Sequence, residues 1–230
     1  MKAMILAAGF GERMRPLTEH TPKPLLPVAG MPLIEFHLRG LAAAGFRQLV
    51  INTSHLGQQI VDYCGDGARW EVEITYSRED SPLETAGGIR EALHLLGEAP
   101  FAVVNGDVWC EFPFARLREY RLASWETAHL VMVDSPPQHP LGDFTLDDSA
   151  RLRSREGDSA GYTYAGIALF SPEFFAGIPR GRLALRPLLD AAIEGGSLGG
   201  EYFAGAWEDV GTPERLAALD ARLRSAQSGG

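Results

Sequence analysis

The chain has 230 residues, 45% of them hydrophobic and 22% charged, which excludes a disordered or fibrous protein and allows one sizeable core. A formal charge of −9 excludes a surface built for nucleic acid or an anionic membrane, so an anionic ligand needs a local cluster of cations. Two cysteines, Cys64 and Cys110, are too few for a disulfide framework and read as reduced thiols of a cytoplasmic protein, and no apolar run approaches the roughly 20 residues of a membrane helix.

Strands and helices alternate from the start, the pattern of an α/β fold with a mainly parallel sheet. KAMILAA is a nearly unbroken apolar run of strand length, as in a strand covered on both faces. It gives way to glycine and charge by Glu12, too soon for a signal peptide. A helix is expected from about Met31, with Pro32 in its first turn, Ile34, Leu38 and Leu41 on one face, and Gly45 as its stop. FRQLVINTS reads as the second strand, HLGQQIVDYC as the second helix and VEITYS as the third strand. ETAGGIREALHLLG is a helix with Ile89, Leu93 and Leu96 at core spacing, and PFAVVNGDVW a fourth strand. The second half is less regular. AHLVMVD, GDFTLDD, ARLRSRE and GYTYAGIALF read as strands, PLLDAAIEGG as a helix, and EYFAGAWEDVGT as two short extended pieces. A final helix starts at Pro213, with Leu216, Leu219 and Leu223 on one face, and RSAQSGG reads as a frayed tail.

Between the first strand and the first helix lies LAAGFGERMRPLTEHTPKPLLPVAG, Leu6 to Gly30, a loop longer than a simple connection requires. Gly9 and Gly11 let backbone N–H groups approach phosphate oxygens, although such glycines also build simple turns. The third glycine of a dinucleotide fingerprint would fall at Met14, and no Gly-Lys-Ser/Thr follows, so neither that fingerprint nor a P-loop is present. Arg13, Arg15 and Lys23 share this segment, and Pro22 and Pro24 stiffen the backbone around Lys23. A cation on a stiffened loop suits a fixed anion; each one alone is equally a surface charge.

Two carboxylates extend the pattern. Asp107 follows FAVVNG at the carboxyl end of a strand, where α/β proteins bind ligands. Asp209 lies in WEDVGTP, just before a helix that Thr212 is placed to cap. Separated aspartates offer oxygen ligands suited to Mg²⁺, which keeps several waters and shares substrate phosphates. A turn residue for Asp107 and a local cap for Asp209 remain the alternatives.

LAAGFGERMRPLTEHTPKPLLPV resembles the signature of the sugar-1-phosphate nucleotidyltransferases, G-x-G-x-R-x-x-P followed by P-K-P, and the resemblance continues through LETAGGI, VNGDVW and WEDVGTPERL. It implies a three-layer, Rossmann-like α/β fold with a mixed, mainly parallel central sheet. It implies a single domain over 1–225, nucleotide-binding to about 110 and sugar-binding beyond, with 226–230 as a frayed tail. In that family a sugar phosphate oxygen attacks the α-phosphate of a nucleoside triphosphate and pyrophosphate leaves, chemistry that rests on positioning and charge neutralisation. The resemblance assigns Arg13 and Lys23 to the phosphates, and Asp107 and Asp209 to Mg²⁺. It assigns Leu6, Ala7, Ala8, Gly9, Gly11, Glu12 and Arg13 to the nucleotide, Glu84 and Gly88 to the base, and Asn105, Gly142 and Glu156 to the sugar phosphate.

Two departures stand out. Glu84 replaces the glutamine of thymidylyl and some uridylyl relatives. RSREGDSAGYTYAG lacks the lysine that many relatives place on the sugar phosphate, leaving Arg155 or another cation to replace it. The chain also stops after its last helix, so the resemblance implies no left-handed β-helix and no acetyltransferase activity. Within the family, the short length, LETAGGI, VNGDVW and GDF look most like the uridylyltransferases that act on N-acetylmuramate α-1-phosphate in cell-wall recycling. Mannose-1-phosphate guanylyltransferases and glucose-1-phosphate uridylyl- or thymidylyltransferases are the alternatives. The implied partners are UTP or another nucleoside triphosphate and a sugar 1-phosphate, with no nucleic acid or membrane, in a monomer or small homo-oligomer. A nucleotide-sugar sensor without activity has no need to keep Arg13, Lys23, Asp107 and Asp209 together, and a Rossmann oxidoreductase is disfavoured by Met14.

Overall fold

In the computed structural model, which describes residues 1–157 and 159–228, the apolar run at the N-terminus is a strand with parallel neighbours on both sides. That strand, β1 (Ala3–Leu6), is followed by the small ribbon of β2 (Pro27–Val28) and β3 (Met31–Pro32). Then come α1 (Leu33–Ala43), β4 (Gln48–Thr53), α2 (Gly57–Cys64), β5 (Glu73–Arg78), α3 (Glu84–Leu96) and β6 (Phe101–Asn105). The second half contains β7 (Val108–Cys110), α4 (Ala115–Glu119), β8 (Ala128–Val133), β9 (Phe144–Leu146) and β10 (Leu152–Ser154). It closes with β11 (Thr163–Phe170), α5 (Arg186–Glu194), β12 (Leu198–Tyr202), β13 (Trp207–Asp209) and α6 (Pro213–Ser228). The central sheet has seven strands in the order β12-β8-β11-β6-β1-β4-β5. Only β11 runs against its neighbours, so the sheet is mixed and mostly parallel.

Alternate residues of the buried strands feed two cores, because successive side chains point to opposite faces. On one face Ala3, Ile5, Leu49 and Ile51 meet Ile34, Leu38 and Leu41 of α1 and Ile60 of α2. On the other, Met4, Val50 and Val103 meet Ile89 and Leu96 of α3 and Leu189 of α5, with Leu93 partly buried at the edge. Helices thus cover the sheet on both sides, giving three layers. Among the described residues no helix is long and apolar enough to cross a membrane.

The long loop is folded rather than slack. It contains three short 3-10 turns, Glu12–Met14, Leu17–Glu19 and Lys23–Leu25. Gly11 adopts a left-handed conformation (φ 65°), and a Cβ there would lie 2.9 Å from Thr18 Cγ2. The Thr18 hydroxyl donates to Gly11 O at 2.8 Å, closing the turn. Met14 is fully buried in a third cluster with Val28, Leu33, Trp109, Val210, Leu216 and Leu219. The residue that breaks the dinucleotide fingerprint is therefore the loop's anchor against α6.

Several boundaries differ from the sequence reading, three of them for a clear local reason. The first helix begins two residues later than expected, because Met31 and Pro32 pair with β2. The fourth predicted strand breaks at Gly106, whose N–H donates to Leu6 O at 2.8 Å and where a Cβ would lie 2.6 Å from that oxygen. The chain turns there and re-pairs as β7 with β13. The last helix continues to Ser228, past the expected fraying at 226, because no glycine or proline interrupts it before Gly229; residues 229–230 lie outside the described residues.

Truncating Met14 to alanine should cost about 2–5 kcal/mol of unfolding free energy, since it removes a fully enclosed side chain. Urea denaturation of Met14→Ala measures this, and an unshifted midpoint would show that the loop is not anchored there.

Candidate active site

The carboxyl ends of β1, β4 and β6 face one opening, a cleft of about 820 Å³, the position at which open α/β sheets bind ligands. Leu6, Ala7, Ala8, Gly9, Gly11, Glu12 and Arg13 line one wall, and Ser81 to Thr85, at the entry to α3, line the opposite wall. At Gly9 the backbone stands in open space, with no atom within 4 Å of where a Cβ would be, so a ligand can approach it closely.

Asn52 and Glu79 form a floor that the sequence reading did not single out. Asn52 Oδ1 accepts the Ala7 N–H at 2.8 Å, and Asn52 Nδ2 donates to Glu79 Oε1 at 2.7 Å. Glu79 Oε2 accepts the Leu83 N–H at 2.9 Å. These bonds tie the loop after β1 to the start of α3. Burial raises the Glu79 carboxyl above its ordinary range, against the pull of those two hydrogen bonds. The signal in the sequence was the position of Asn52 at a strand's carboxyl end.

Lys23 and Asp107 meet across the cleft, Nζ to Oδ2 at 2.7 Å, with the lysine buried. Asp107 sits at the turn that Gly106 makes, and β13 lies antiparallel to β7 with Asp209 opposite Val108. The Val210 N–H donates to Asp107 O at 3.0 Å, so the ribbon brings the two aspartates to neighbouring positions. Asp209 is held through Oδ2 by Arg215 at 2.8 Å. Arg13 reaches the same place: a Cβ on Gly211 would lie 3.2 Å from Arg13 Nη1 and closer still to Arg215. Three cations thus face two partly exposed carboxylates in an acidic protein. Among the described residues no group of three or more His, Cys, Asp or Glu gathers. Two hard oxygen donors without a third suit an ion such as Mg²⁺, which completes its shell with water and phosphate oxygens.

A second cavity of about 410 Å³ joins the first at Glu84, Thr85 and Asn105. Asn105 lines both. Opposite it, β11 carries a bulge between Tyr164 and Ala168, where Gly166 (φ 72°) leaves room: a Cβ there would lie 2.7 Å from Asn105 Nδ2. Trp207 Nε1 donates to Ala165 O at 2.9 Å and holds the bulge in place.

Other expected residues fall differently. Glu84 lines both cavities, but its carboxylate is paired with Arg182 at 2.8 Å and its backbone is left-handed (φ 61°). Gly88 lines neither; a Cβ there would lie 2.7 Å from Glu79 Oε1, so the glycine makes room for the floor. Gly142 also lies behind the wall, packed against Tyr162 O, and the lining residue is its neighbour Asp143. Glu156 is exposed in the loop after β10 and lines neither cavity. Arg155 donates through Nη1 to Gly157 O and Ser159 O and lines neither cavity. Cys110 is inert, its thiol pushed up to about 11 by burial.

A glycine loop, cations, two aspartates on neighbouring strands and two adjoining cavities thus gather at the carboxyl edge of the sheet. Residues 2–226 match the nucleotidyl transferase family model, and the chain belongs to that family. It is 49% identical, over 94% of its length and 95% of the relative's, to N-acetylmuramate alpha-1-phosphate uridylyltransferase of Neisseria meningitidis serogroup B. It is 35% identical, over 97% of each chain, to the protein of the same name from Caulobacter vibrioides. Among solved structures, a Bacillus anthracis protein described as a glucose-1-phosphate thymidylyltransferase, in complex with sucrose, superposes with a TM-score of 0.86 at 25% identity, covering 97% of this chain and 95% of that one.

One buried group outside the cleft supports its geometry. His37 of α1 donates from Nε2 to Val108 O at 2.8 Å, just beyond Asp107. Burial lowers its pKa from the ordinary 6.5 to about 4, against the upward pull of Val108 O and Asp107. The unfolded chain therefore takes up a proton below pH 6.5 that the folded chain refuses until about pH 4. Stability should fall across that window as pH drops, by roughly 3 kcal/mol from this group. Urea titrations at pH 7 and pH 4.5 check this against His37→Gln, whose pH dependence should be shallower; equal slopes would remove His37 as the cause.

Proposed function

We propose that this chain transfers a uridylyl group from UTP to N-acetylmuramate α-1-phosphate, giving the UDP-sugar and pyrophosphate. The observation that carries this reading is the join of two cavities at Asn105, beside the Lys23–Asp107 pair. One cavity suits a nucleoside triphosphate and the other a sugar, with charge concentrated where their phosphates would meet. The choice of base and sugar follows the names of two relatives that this chain matches along nearly its whole length.

On this reading a sugar phosphate oxygen attacks the α-phosphorus of UTP in line. The bond to the bridging oxygen breaks, and that oxygen leaves with its electron pair as pyrophosphate. Arg13 neutralises charge growing on the leaving group, and Lys23 holds the reacting phosphates. Backbone N–H groups from Leu6 to Glu12 cradle the nucleotide, while Asn105 orients the sugar phosphate. Asp107 and Asp209 would hold Mg²⁺, which supplies neutralisation of phosphate charge when bound. The chain works as one unit over 1–225, nucleotide on the half to about 110 and sugar on the rest, as a monomer or small homo-oligomer. Its setting is cell-wall recycling in the cytoplasm.

Purified protein with Mg²⁺ should release pyrophosphate from UTP only when N-acetylmuramate α-1-phosphate is supplied. Asp107→Ala should lower kcat/KM by about 100-fold or more. The reading fails if no pyrophosphate appears with that pair of substrates, or if the variant matches the wild type.

A further inference from the structure

The second cavity is lined by a cation, Arg186, that the proposed phosphate chemistry leaves unused. The volume suits a substituted hexose. Among the lining residues Arg186 is the one cation.

Arg186 opens α5 and is held without being used up. Its guanidinium lies 4.6 Å from the centre of the Phe144 ring, which fixes its plane. Its Nε donates to Asp190 Oδ1 at 2.8 Å, and its Nη1 stands 3.7 Å from Asp143 Oδ1. A guanidinium offers five N–H donors in a fork, so donors remain for a further carboxylate. The two acids lining the cavity have partners of their own. Asp143 accepts the Tyr164 N–H at 2.9 Å and His139 Nε2 at 3.2 Å, and Glu84 accepts Arg182 at 2.8 Å. Arg182 lines the nucleotide cleft instead and is tied up by Glu84.

We propose that Arg186 selects for a sugar 1-phosphate that bears a carboxylate, by pairing with that carboxylate inside the second cavity. The inference rests on the function proposed above: N-acetylmuramate is N-acetylglucosamine with a lactyl ether, and the lactyl carboxylate is the chemical difference to be read. With the phosphate beside Lys23 and Asp107, the sugar ring extends past Asn105 into this cavity. A carboxylate entering there meets Asp143 and Glu84 and is repelled unless a cation faces it. Arg186 supplies that cation.

Steady-state kinetics of the whole chain with UTP test this, comparing N-acetylmuramate α-1-phosphate with N-acetylglucosamine α-1-phosphate. Arg186→Gln should lower the ratio of the two kcat/KM values by about 10- to 100-fold, the size of one lost charge-assisted contact. The change should lie in KM for the carboxylated sugar and not in KM for UTP. Arg186→Lys should recover part of the ratio, because a point charge remains. The Arg186 side chain is 52% exposed, so both substitutions leave the core intact. A ratio unchanged in the Gln variant, or a loss of kcat alone on both sugars, overturns the role of Arg186 and leaves the proposed reaction standing. A wild-type protein that releases pyrophosphate with neither sugar, or only with N-acetylglucosamine phosphate, overturns both.

Discussion

Lys23 and Asp107 form the contact on which the rest of the site depends. The lysine side chain is 9% exposed, and its ammonium lies 2.7 Å from a carboxylate 84 residues further along the chain. Removing an ammonium from water costs several kcal/mol, and one partly exposed carboxylate returns only part of that, so the pair is a poor source of stability. Its effect is positional. It fixes the far end of the long loop against the turn after β6, so that the loop's near end, Leu6 to Arg13, forms a wall. Without this contact the loop's prolines and short turns would stiffen it but would not aim it.

Close backbone approach makes the contact reachable. Gly106 lets the chain leave the sheet within 2.8 Å of Leu6 O, so Asp107 emerges at the mouth and not within a strand. The same turn frees β7 to pair with β13, which carries Asp209 to the neighbouring position. On the other side, the bulge at Gly166 makes space for Asn105, and Trp207 pins it through Ala165 O. Three glycine- or turn-dependent features therefore decide where the charged groups stand.

Much of this was legible in the sequence. Continuous apolar runs gave the parallel strands, and the spacing of Ile34, Leu38 and Leu41 gave α1, because burial on one or both faces leaves a periodic trace. Arg13, Lys23, Asp107 and Asp209 stood out because their segments match the signature motifs, since each charge alone reads equally as a surface charge, a turn residue or a cap. The structure sets Lys23 against Asp107 and Asp209 opposite Val108. What was not legible depended on contacts distant in sequence. Gly88 and Gly142 looked like ligand-facing glycines, but each is small because a side chain or carbonyl packs against it. Asn52 and Glu79 are ordinary polar residues at strand ends, and only the register of β4 with β5 and β1 joins them into a floor. Met14 was legible only as a missing glycine; its burial under α6 depends on a helix that begins about 200 residues later.

The chain's overall negative charge sharpens the argument about the cleft. A −9 protein repels triphosphates at long range, so its cations must act at short range, where screening over about 8–10 Å matters little. Arg13, Arg215 and Lys23 satisfy this by standing within contact of Gly211, Asp209 and Asp107. Lys23 and Arg215 are each paired with an aspartate, and Arg13 stands beside Gly211. Under the function proposed above, entering phosphates would meet Lys23 and Arg215 already held in place by carboxylates. Preorganisation of this kind places the electrostatic work in the folding of the loop and not in the binding step.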